Sequence, residues 1–434
     1  MKTSARARQG VLRAGWGVAD QALSSLANLA VGALVARAVS PASFGAFGLA
    51  FSTYLIVLGA CRALVAEPLV VRFSAREEAD WRSATRAATG SALALGTLAG
   101  LGCALVGFAA GGVFGDALLA LGAALPGLVL QDTWRYAFFA AGRGRAAFTN
   151  DLASAAAVPA LAALSYATHA VALFVLVWGA AGILAALLAS VQARFAPAPI
   201  EAPSWIRRQA DLGFPYLGEF AALGAGEAAL FGVAGVAGLA AAGALRAGQI
   251  LVGPLRVLFL GVRLAAVPEG IRLLRDPRSS PRAAAVRLSA ILAGAALAWG
   301  AVLTMLPHSL GGSLVGRSWS EARHVMVPLS IAMAGTGAVT GAVVGLRALA
   351  AARRSFRSRI VVTPFMVLGT LAGAAVAGAS GTAWGIAIVT WLSLGLWWRQ
   401  FLGALAERRQ PAEAAGLSRP HVALGRGATA EPRA

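Results

Sequence analysis

Residues 170–191 read AVALFVLVWGAAGILAALLASV, a run of 22 residues without one charged side chain. A helix needs about 20 apolar residues to cross the hydrocarbon core of a bilayer. The whole chain has the same character, since 58% of its 434 residues are hydrophobic, 52 are glycine and only 13% are charged. Ordinary globular proteins carry about 25% charged residues. The sequence therefore predicts an all-α, polytopic membrane protein.

Apolar segments of this kind follow one another along most of the chain when hydropathy is averaged over about 19 residues. Twelve of them are predicted to span the membrane, at residues 14–38, 44–66, 87–111, 117–139, 150–167, 170–191, 212–236, 243–267, 286–306, 325–348, 360–378 and 382–403. A proline-rich connection separates the sixth span from the seventh. We expect a six-helix half at 1–191, a cytoplasmic linker at 192–211, a pseudo-symmetric six-helix half at 212–403 and a disordered cytoplasmic tail at 404–434.

The basic residues set the predicted orientation. The chain has 37 lysines and arginines against 18 acidic residues, and Lys2 is its only lysine. With the N-terminus inside, 30 of the 37 fall on inner segments and four fall outside. Short cytoplasmic loops retain Lys and Arg, so this split places both termini in the cytoplasm. The positive charge does not gather on one water-facing surface, which argues against a nucleic-acid partner.

Neither the cysteines nor the histidines form a chemical motif. Cys61 and Cys103 lie inside apolar segments, and the four histidines are scattered through outer loops, span ends and the tail. None of them has the spacing of metal ligands or of a catalytic triad. We therefore predict no metal, no cofactor and no catalytic residue, and a protein that is not an enzyme.

Matching residues recur in the two predicted halves. Asp20 and Glu219, each in the first span of its half, are 199 residues apart. Three further pairs lie at offsets of 198, 200 and 201 residues: Gly45 with Gly243, Pro68 with Pro268, and Arg62 with Arg263. Corresponding spans run in the same direction in both halves, which predicts parallel repeats related by an axis along the membrane normal.

In two spans, acidic residues that lipid would not tolerate share a helix face with other polar or acidic residues. In the first span, Asp20, Ser24 and Asn28 recur every four residues and share one helix face. In the seventh span, Glu219 and Glu227 are eight residues apart and also share a face. Ionisable side chains inside a membrane almost always face protein or water. We therefore expect these residues to line a cavity, as partners of cations or as carriers of coupling protons.

The eighth span holds the most informative pattern. Residues recur there at steps of three and four, in the order Arg246, Gln249, Gly253, Arg256, Leu260 and Arg263. This spacing places three guanidinium groups on one stripe of a helix. An arginine at mid-membrane costs about 2.5–3.5 kcal/mol on insertion scales. Arg246 and Arg263 lie near the span ends and can instead snorkel to the interface, as can Arg62 in the second span.

Two interpretations of the stripe remain open. In one, Arg256 forms an ion pair with Glu219 or Glu227 and is structural. In the other, the stripe lines a water-filled cationic cavity for an anionic substrate, and Arg62 joins Arg263 at its inner mouth. The second interpretation predicts these substrate-binding residues: Arg62, Arg246, Gln249, Arg256 and Arg263.

Two stretches resemble a known family. Residues 16–28 read WGVADQALSSLAN and residues 40–47 read SPASFGAF, with Arg37 between them. Together they look like the opening of bacterial polysaccharide flippases, or lipopolysaccharide biosynthesis proteins, of the multidrug and oligosaccharidyl-lipid flippase superfamily. Residues 242–249, AGALRAGQ, followed by Gly253-Pro254-Leu255 and Pro268, are similar to the start of the second half in that family. The likeness covers about residues 1–90 and 205–275.

The resemblance implies a transporter that moves an undecaprenyl-diphosphate-linked oligosaccharide from the inner to the outer leaflet of the bacterial cytoplasmic membrane. The two halves would provide alternating access. Implied partners are the lipid-linked anionic oligosaccharide, membrane lipids, glycosyltransferases and a polysaccharide polymerase. The chain lacks the extra pair of spans of lipid II flippases, which argues against a role in peptidoglycan synthesis.

Two alternatives stay open at this stage. One is a cation-coupled exporter of drugs or metabolites with the same fold, against which a cationic cavity argues. The other is a membrane-embedded polysaccharide polymerase or ligase. Such an enzyme needs a sizeable outer catalytic loop, and the longest outer connection, 307–324, is short.

Overall fold

The structure is a computed structural model that describes residues 2–74, 76–276 and 278–417. Its regular elements in these ranges are all helices. The first half contains α1 (Lys2–Ala38), α2 (Pro41–Phe73), α3 (Glu78–Ala110), α4 (Gly112–Ala140), α5 (Gly144–Ala167) and α6 (Val171–Ala193). A short linker helix, Ala202–Arg208, follows. The second half contains α7 (210–237), α8 (239–275), α9 (Pro281–Thr304), α10 (Trp319–Ala348), α11 (352–376) and α12 (379–417).

Glycines with positive φ separate two pairs of these helices. Gly238, between α7 and α8, has a φ of 83°, and Gly378, between α11 and α12, has a φ of 55°. Only glycine adopts such angles without steric penalty. The chain turns back at these two residues without a loop. The predicted span boundaries at 236–243 and 378–382 fall at these breaks.

Ten helices in the described ranges are long and apolar enough to cross a membrane. The break at Gly378 divides one of them into α11 and α12, and the arginines of α8 lower its hydropathy. The prediction of an all-α, polytopic membrane protein is confirmed. One difference concerns the C-terminus, because α12 continues to Leu417. It therefore extends into the segment that the sequence analysis assigns to a disordered tail, and residues 418–434 lie outside the described ranges.

Small residues let neighbouring helices approach closely. In the first half, Gly100 of α3 lies against the backbone of Gly122 in α4, so that a Cβ on Gly100 would overlap the Gly122 carbonyl oxygen. In the second half, a Cβ on Gly337 of α10 would lie 2.6 Å from the backbone nitrogen of Ala293 in α9. In a membrane, where no hydrophobic effect drives helices together, such close backbone packing supplies much of the attraction.

The two halves meet at a reciprocal contact between α2 and α8. A Cβ on Gly45 would overlap the carbonyl of Leu239, and a Cβ on Gly243 would overlap the carbonyl of Pro41. Gly45 and Gly243 are 198 residues apart, as are Pro41 and Leu239. A contact in which each partner uses the same surface is the signature of a two-fold axis. The contact therefore supports an internal repeat with an offset of 198 residues between α2 and α8.

Away from this axis the halves separate on one side. Helix α2 follows α7 from Gly45 to Leu64, but α1 meets α8 near Leu29 and Gly253. Farther from Gly238, Leu26 of α1 and Val257 of α8 are 64% and 48% exposed. A cleft between α1 and α8 therefore opens toward the end of the bundle that carries the linker helix, which we call the linker end.

Candidate functional site

Two groups of charged side chains lie at membrane depth. The buried cluster belongs to the first half and is defined by Asp20, Arg62, Asp132, Arg135 and Asp151. The cleft pair lies between the halves and is defined by Arg246 and Arg256 of α8. The two groups differ in how their guanidinium groups are neutralised.

In the buried cluster, Arg62 of α2 is held by Asp132 of α4. Its Nε and Nη2 donate to the Oδ2 and Oδ1 of Asp132, both at 2.7 Å. This bidentate arrangement is the strong geometry for a guanidinium and a carboxylate. The Asp132 side chain is 5% exposed, whereas the Arg62 side chain is 33% exposed. Arg62 also begins a π-helical turn, Arg62–Ala66, and such turns occur often at functional sites.

Arg135 of α4 lies among three carboxylates. Its Nε is 2.5 Å from Oδ2 of Asp20 and 3.5 Å from Oδ2 of Asp151, and its Nη1 is 3.7 Å from Oδ1 of Asp132. Gln131 Nε2 donates to Asp151 Oδ1 at 2.7 Å, while Oδ1 of Asp20 is buried without a hydrogen-bond partner. Arg135 fills the space between the carboxylates. No three acidic, histidine or cysteine side chains in the described part of the chain are grouped as metal ligands.

A polar cavity of about 220 Å³ adjoins the buried cluster inside the first half. Its wall includes Ser24 and Asn28 from α1 together with Tyr54, Arg62, Arg135 and Asp151. Asp20 is completely buried behind this wall. On the polar face predicted for the first span, Asp20 is thus buried in an ion pair, and Ser24 and Asn28 line a cavity.

The cleft pair lines a larger cavity, of about 560 Å³, between α1, α2, α7 and α8. Arg246, Gln249, Gly253 and Arg256 all contribute to its wall, as the spacing along the eighth span predicts. The Arg246 guanidinium carbon lies 4.3 Å from the centre of the Phe51 ring, and its Nη1 donates to Gln249 Oε1 at 3.1 Å. This cation–π contact and the hydrogen bond to the Gln249 amide orient Arg246 without neutralising its charge.

No carboxylate among the side chains that the structure describes lies within ion-pair distance of Arg246 or Arg256. Glu227 lines the same cavity, but its Oε2 accepts a hydrogen bond from Ser52 Oγ at 2.6 Å. The ion pair between Arg256 and Glu227 that the sequence left open is therefore not formed. The side chain of Glu219 lies outside the described part of the structure. Its predicted place in the cavity therefore stays a prediction, as does its equivalence to Asp20 in the internal repeat.

A third cavity, of about 420 Å³, shares lining residues with both of the others. Arg62 lines both this cavity and the polar cavity of the first half, and Glu227 lines both this cavity and the cleft cavity. Leu55 of α2 contributes to all three walls. The face of α2 that carries Leu55 and Arg62 therefore separates the buried cluster from the cleft.

The internal repeat explains why the cationic stripe is on α8 alone. With an offset of 198 residues, Arg246 corresponds to Gly48, and a Cβ on Gly48 would lie 3.3 Å from the Arg246 side chain. Two residues so close to the axis cannot both carry long side chains. The same offset places Leu58 opposite Arg256, so the corresponding face of α2 is apolar until Arg62.

Arg263 lies apart from the other predicted substrate-binding residues. Its Nε donates to the carbonyl of Phe259 at 3.2 Å, and Arg347 and Arg359 act on it electrostatically. It does not line the three cavities. The structure does not bring Arg62 and Arg263 together as the sequence analysis expects, because Arg62 points to Asp132 across the first half.

Sequence reasoning missed Asp132, Arg135 and Asp151. Arg135 is one of the 30 basic residues that the topology prediction counts on inner segments, whereas it is 9% exposed inside α4. The signal was present, because Gln131, Asp132 and Arg135 lie within the fourth predicted span and Asp151 within the fifth. A charged residue inside an apolar segment is a signal that points to these side chains, but it does not identify their partners.

Comparisons with known proteins identify the fold. No protein-family model and no curated protein sequence matches the chain. Among solved structures, an inward-facing multidrug resistance MATE family transporter of the MOP superfamily is 16% identical, with a TM-score of 0.65 over 92% of this chain and 96% of that one. The lipid II flippase MurJ, in an inward closed conformation, is 10% identical, with a TM-score of 0.62 over 93% of each chain. An outward-facing MATE transporter is 15% identical, with a TM-score of 0.52 over 92% of this chain and 94% of that one. The chain has the fold of these membrane transporters.

Proposed function

We propose that this protein is a flippase that moves an undecaprenyl-diphosphate-linked oligosaccharide across the cytoplasmic membrane by alternating access of its two halves. One observation carries the proposal. Arg246 and Arg256 line a cavity between the halves, and neither has a carboxylate partner among the described side chains. Two such charges at membrane depth cost several kcal/mol. An anion that enters the cavity offsets this cost, and a diphosphate suits the planar fork of arginine.

The cleft also suits a substrate with a lipid tail. It lies between α1 and α8, and its sides carry exposed apolar residues such as Leu26 and Val257. A charged headgroup can therefore occupy the cavity while an isoprenoid chain remains among lipid tails. Ser25 and Asn28 of α1 and Gln249 of α8 line the same cavity and offer hydrogen bonds to sugar hydroxyl groups.

The position of the cavity at the junction of the halves supports alternating access. The halves touch at the Gly45–Gly243 contact and stay together along α2 and α7, while α1 and α8 separate toward the linker end. Rocking about the junction would close one side and open the other. We place the linker end in the cytoplasm, where glycosyltransferases would supply the substrate, and a polymerase would use it on the other side. Reporter fusions after residues 80 and 410 should show cytoplasmic activity, and periplasmic activity at either position would overturn this orientation.

The fold alone also accommodates an exporter of cationic drugs or metabolites. The cleft pair argues against such a substrate, because two unpaired guanidinium groups repel a cation in a low-dielectric cavity. A membrane-embedded polymerase or ligase has less support, since the connection between α9 and α10 is a single short helix, His308–Val315, with one further turn.

The proposal is tested by flipping in proteoliposomes, with a fluorescent undecaprenyl-diphosphate-linked oligosaccharide as the probe. Arg256→Ala should reduce the initial rate at least about tenfold, because a charge-assisted hydrogen bond contributes about 1.5–3 kcal/mol. Arg256→Lys should recover only part of the rate, since a point charge replaces a planar fork. Arg207→Ala on the exposed linker helix removes the same charge and should leave the rate unchanged. Equal rates for Arg256→Ala and wild type, at equal protein level, would refute the proposal.

A further inference from the structure

Arg62 occupies a position that neither the buried cluster nor the cleft explains by itself. It is bonded to Asp132 through two nitrogens, yet its side chain is one third exposed, at 33%. It contributes to the wall of the third cavity together with Glu227, which also faces the cleft pair. A purely structural ion pair would be expected to bury both partners. Arg62 is instead buried on its Asp132 side and open toward the third cavity, which shares Glu227 with the cleft cavity.

Asp132 has a second guanidinium within reach. Its Oδ1 accepts from Arg62 Nη2 at 2.7 Å and lies 3.7 Å from Arg135 Nη1. A movement of about 1 Å would bring the second contact to the usual length of a charge-assisted hydrogen bond. Arg135 is fixed from the other side by Asp20 and Asp151, so it offers this contact in a defined place. Asp132 can therefore change partners without becoming unpaired.

We infer that Arg62 is a third substrate-binding arginine, held in reserve by Asp132, and that the substrate's diphosphate competes with Asp132 for it. When the anion enters from the linker end, Arg62 turns from Asp132 into the third cavity, beside Glu227, and Asp132 pairs with Arg135. This inference rests on the proposed function, because it needs an anion at the cleft pair. Asp132 is a positioning residue, and Arg62 is the group that contacts the substrate.

The departure of Arg62 from Asp132 has an electrostatic cost, and this cost can help a transporter to release its substrate. The buried cluster contains three carboxylates and two guanidinium groups, so the departure of Arg62 leaves three carboxylates around Arg135. This excess negative charge favours the return of Arg62 to Asp132. Binding is therefore weaker than three free arginines would give. A site that must release its ligand on the other side of the membrane benefits from such a restraint.

The charge count also predicts that removal of Asp132 is tolerated. Without it, Arg62 and Arg135 are balanced by Asp20 and Asp151. Asp132→Asn should therefore fold, and it should release Arg62 from its competitor. Asp211→Asn is the matched control, because it also removes the carboxylate partner of an arginine, Arg72, but lies outside the buried cluster and the three cavities.

The test is the affinity of the purified protein for inorganic pyrophosphate, measured by calorimetry. Asp132→Asn should bind at least about tenfold more tightly than wild type, and Arg62→Ala should bind more weakly. The double variant Arg62→Ala/Asp132→Asn should lose the gain. Asp211→Asn should stay within about twofold of wild type. In the flipping assay, Asp132→Asn should lower both the substrate concentration at half-maximal rate and the maximal rate, because release becomes slow.

An unchanged or weaker affinity of Asp132→Asn would overturn the inference, as would a gain that survives in the double variant. If Asp132→Asn does not fold, Arg62→Ala decides alone, and an affinity equal to that of wild type would overturn the inference. Arg256→Ala separates this outcome from a failure of the proposed function. If Arg256→Ala binds pyrophosphate as wild type does, the anion site itself is wrong. If only the Asp132 variants behave as wild type, the reserve role of Arg62 alone is wrong.

Discussion

The buried cluster and the cleft pair each place two arginines at membrane depth, and they treat them in opposite ways. Arg62 and Arg135 have carboxylate oxygens at 2.7 and 2.5 Å. Arg246 and Arg256 have no carboxylate at ion-pair distance among the described side chains and face a cavity of about 560 Å³. A buried charge that is already paired holds helices together. A charge left without its partner at a cavity marks the place where a ligand supplies that partner.

The largest effect should come from breaking the pairing in the buried cluster. Arg135→Ala leaves Asp20 and Asp151 without their cation, and removal of one partner of a buried ion pair costs about 3–5 kcal/mol. Thermal unfolding of the purified variants measures this cost. Arg256→Ala, which removes an unpaired charge, should unfold at or above the wild-type temperature. Equal destabilisation by the two substitutions would show that ion pairing does not make Arg135 more important for stability than Arg256.

A second substitution tests whether the halves move against each other at the cleft. Gly243→Leu places a side chain where the Pro41 carbonyl and Gly45 lie, so the contact at the pseudo-two-fold axis cannot form. We expect a stability loss of about 1–3 kcal/mol, typical of overpacking, and a loss of flipping in proteoliposomes. The control is Gly235→Leu on α7, where no atom lies within 4 Å of the added Cβ. If both variants transport at the same rate, the axis contact has no part in the cycle.

The smallest effect concerns Glu227, the carboxylate that could cancel the cleft pair. Ser52 holds it by a hydrogen bond of 2.6 Å. In Ser52→Ala, Glu227 becomes free to turn toward Arg246 and Arg256, and the affinity for pyrophosphate should fall about fivefold, the equivalent of one hydrogen bond of about 1 kcal/mol. Thr53→Ala serves as control, because the Thr53 hydroxyl donates to the Leu49 carbonyl of its own helix. A tighter affinity in Ser52→Ala would mean that Ser52 does not restrain Glu227.

The sequence predicts the helices and the first part of the α8 stripe, from Arg246 to Arg256, because both depend on residues close together in the chain, whereas Arg263 lies apart. The uncharged run at 170–191 becomes α6, and the three- and four-residue steps place Gln249 and Arg256 on one wall of the cleft. Periodicity within one helix reveals a face, and the face fixes which side chains share a cavity.

The buried cluster could not be predicted in the same way. Arg62 and Asp132 are 70 residues apart, and Arg135 and Asp20 are 115 apart. Their pairing depends on which helices become neighbours, and a hydropathy pattern does not contain that information. The repeat was similarly underdetermined, since offsets of 198 to 201 residues fitted the sequence equally well. The Gly45–Gly243 contact favours an offset of 198 residues. At this offset Arg62 and Arg263 are not equivalent positions of the repeat.

The central claim is that the cleft pair is free to bind an anion. The most direct test is to remove both of its charges and measure pyrophosphate binding. Arg246→Ala/Arg256→Ala should lose affinity at least about 100-fold, because two charge-assisted contacts are removed, each contributing about 1.5–3 kcal/mol. Arg207→Ala/Arg208→Ala removes the same formal charge from the exposed linker helix and should bind as wild type does. Unchanged binding by the cleft variant, or an equal loss in the linker variant, would contradict the account.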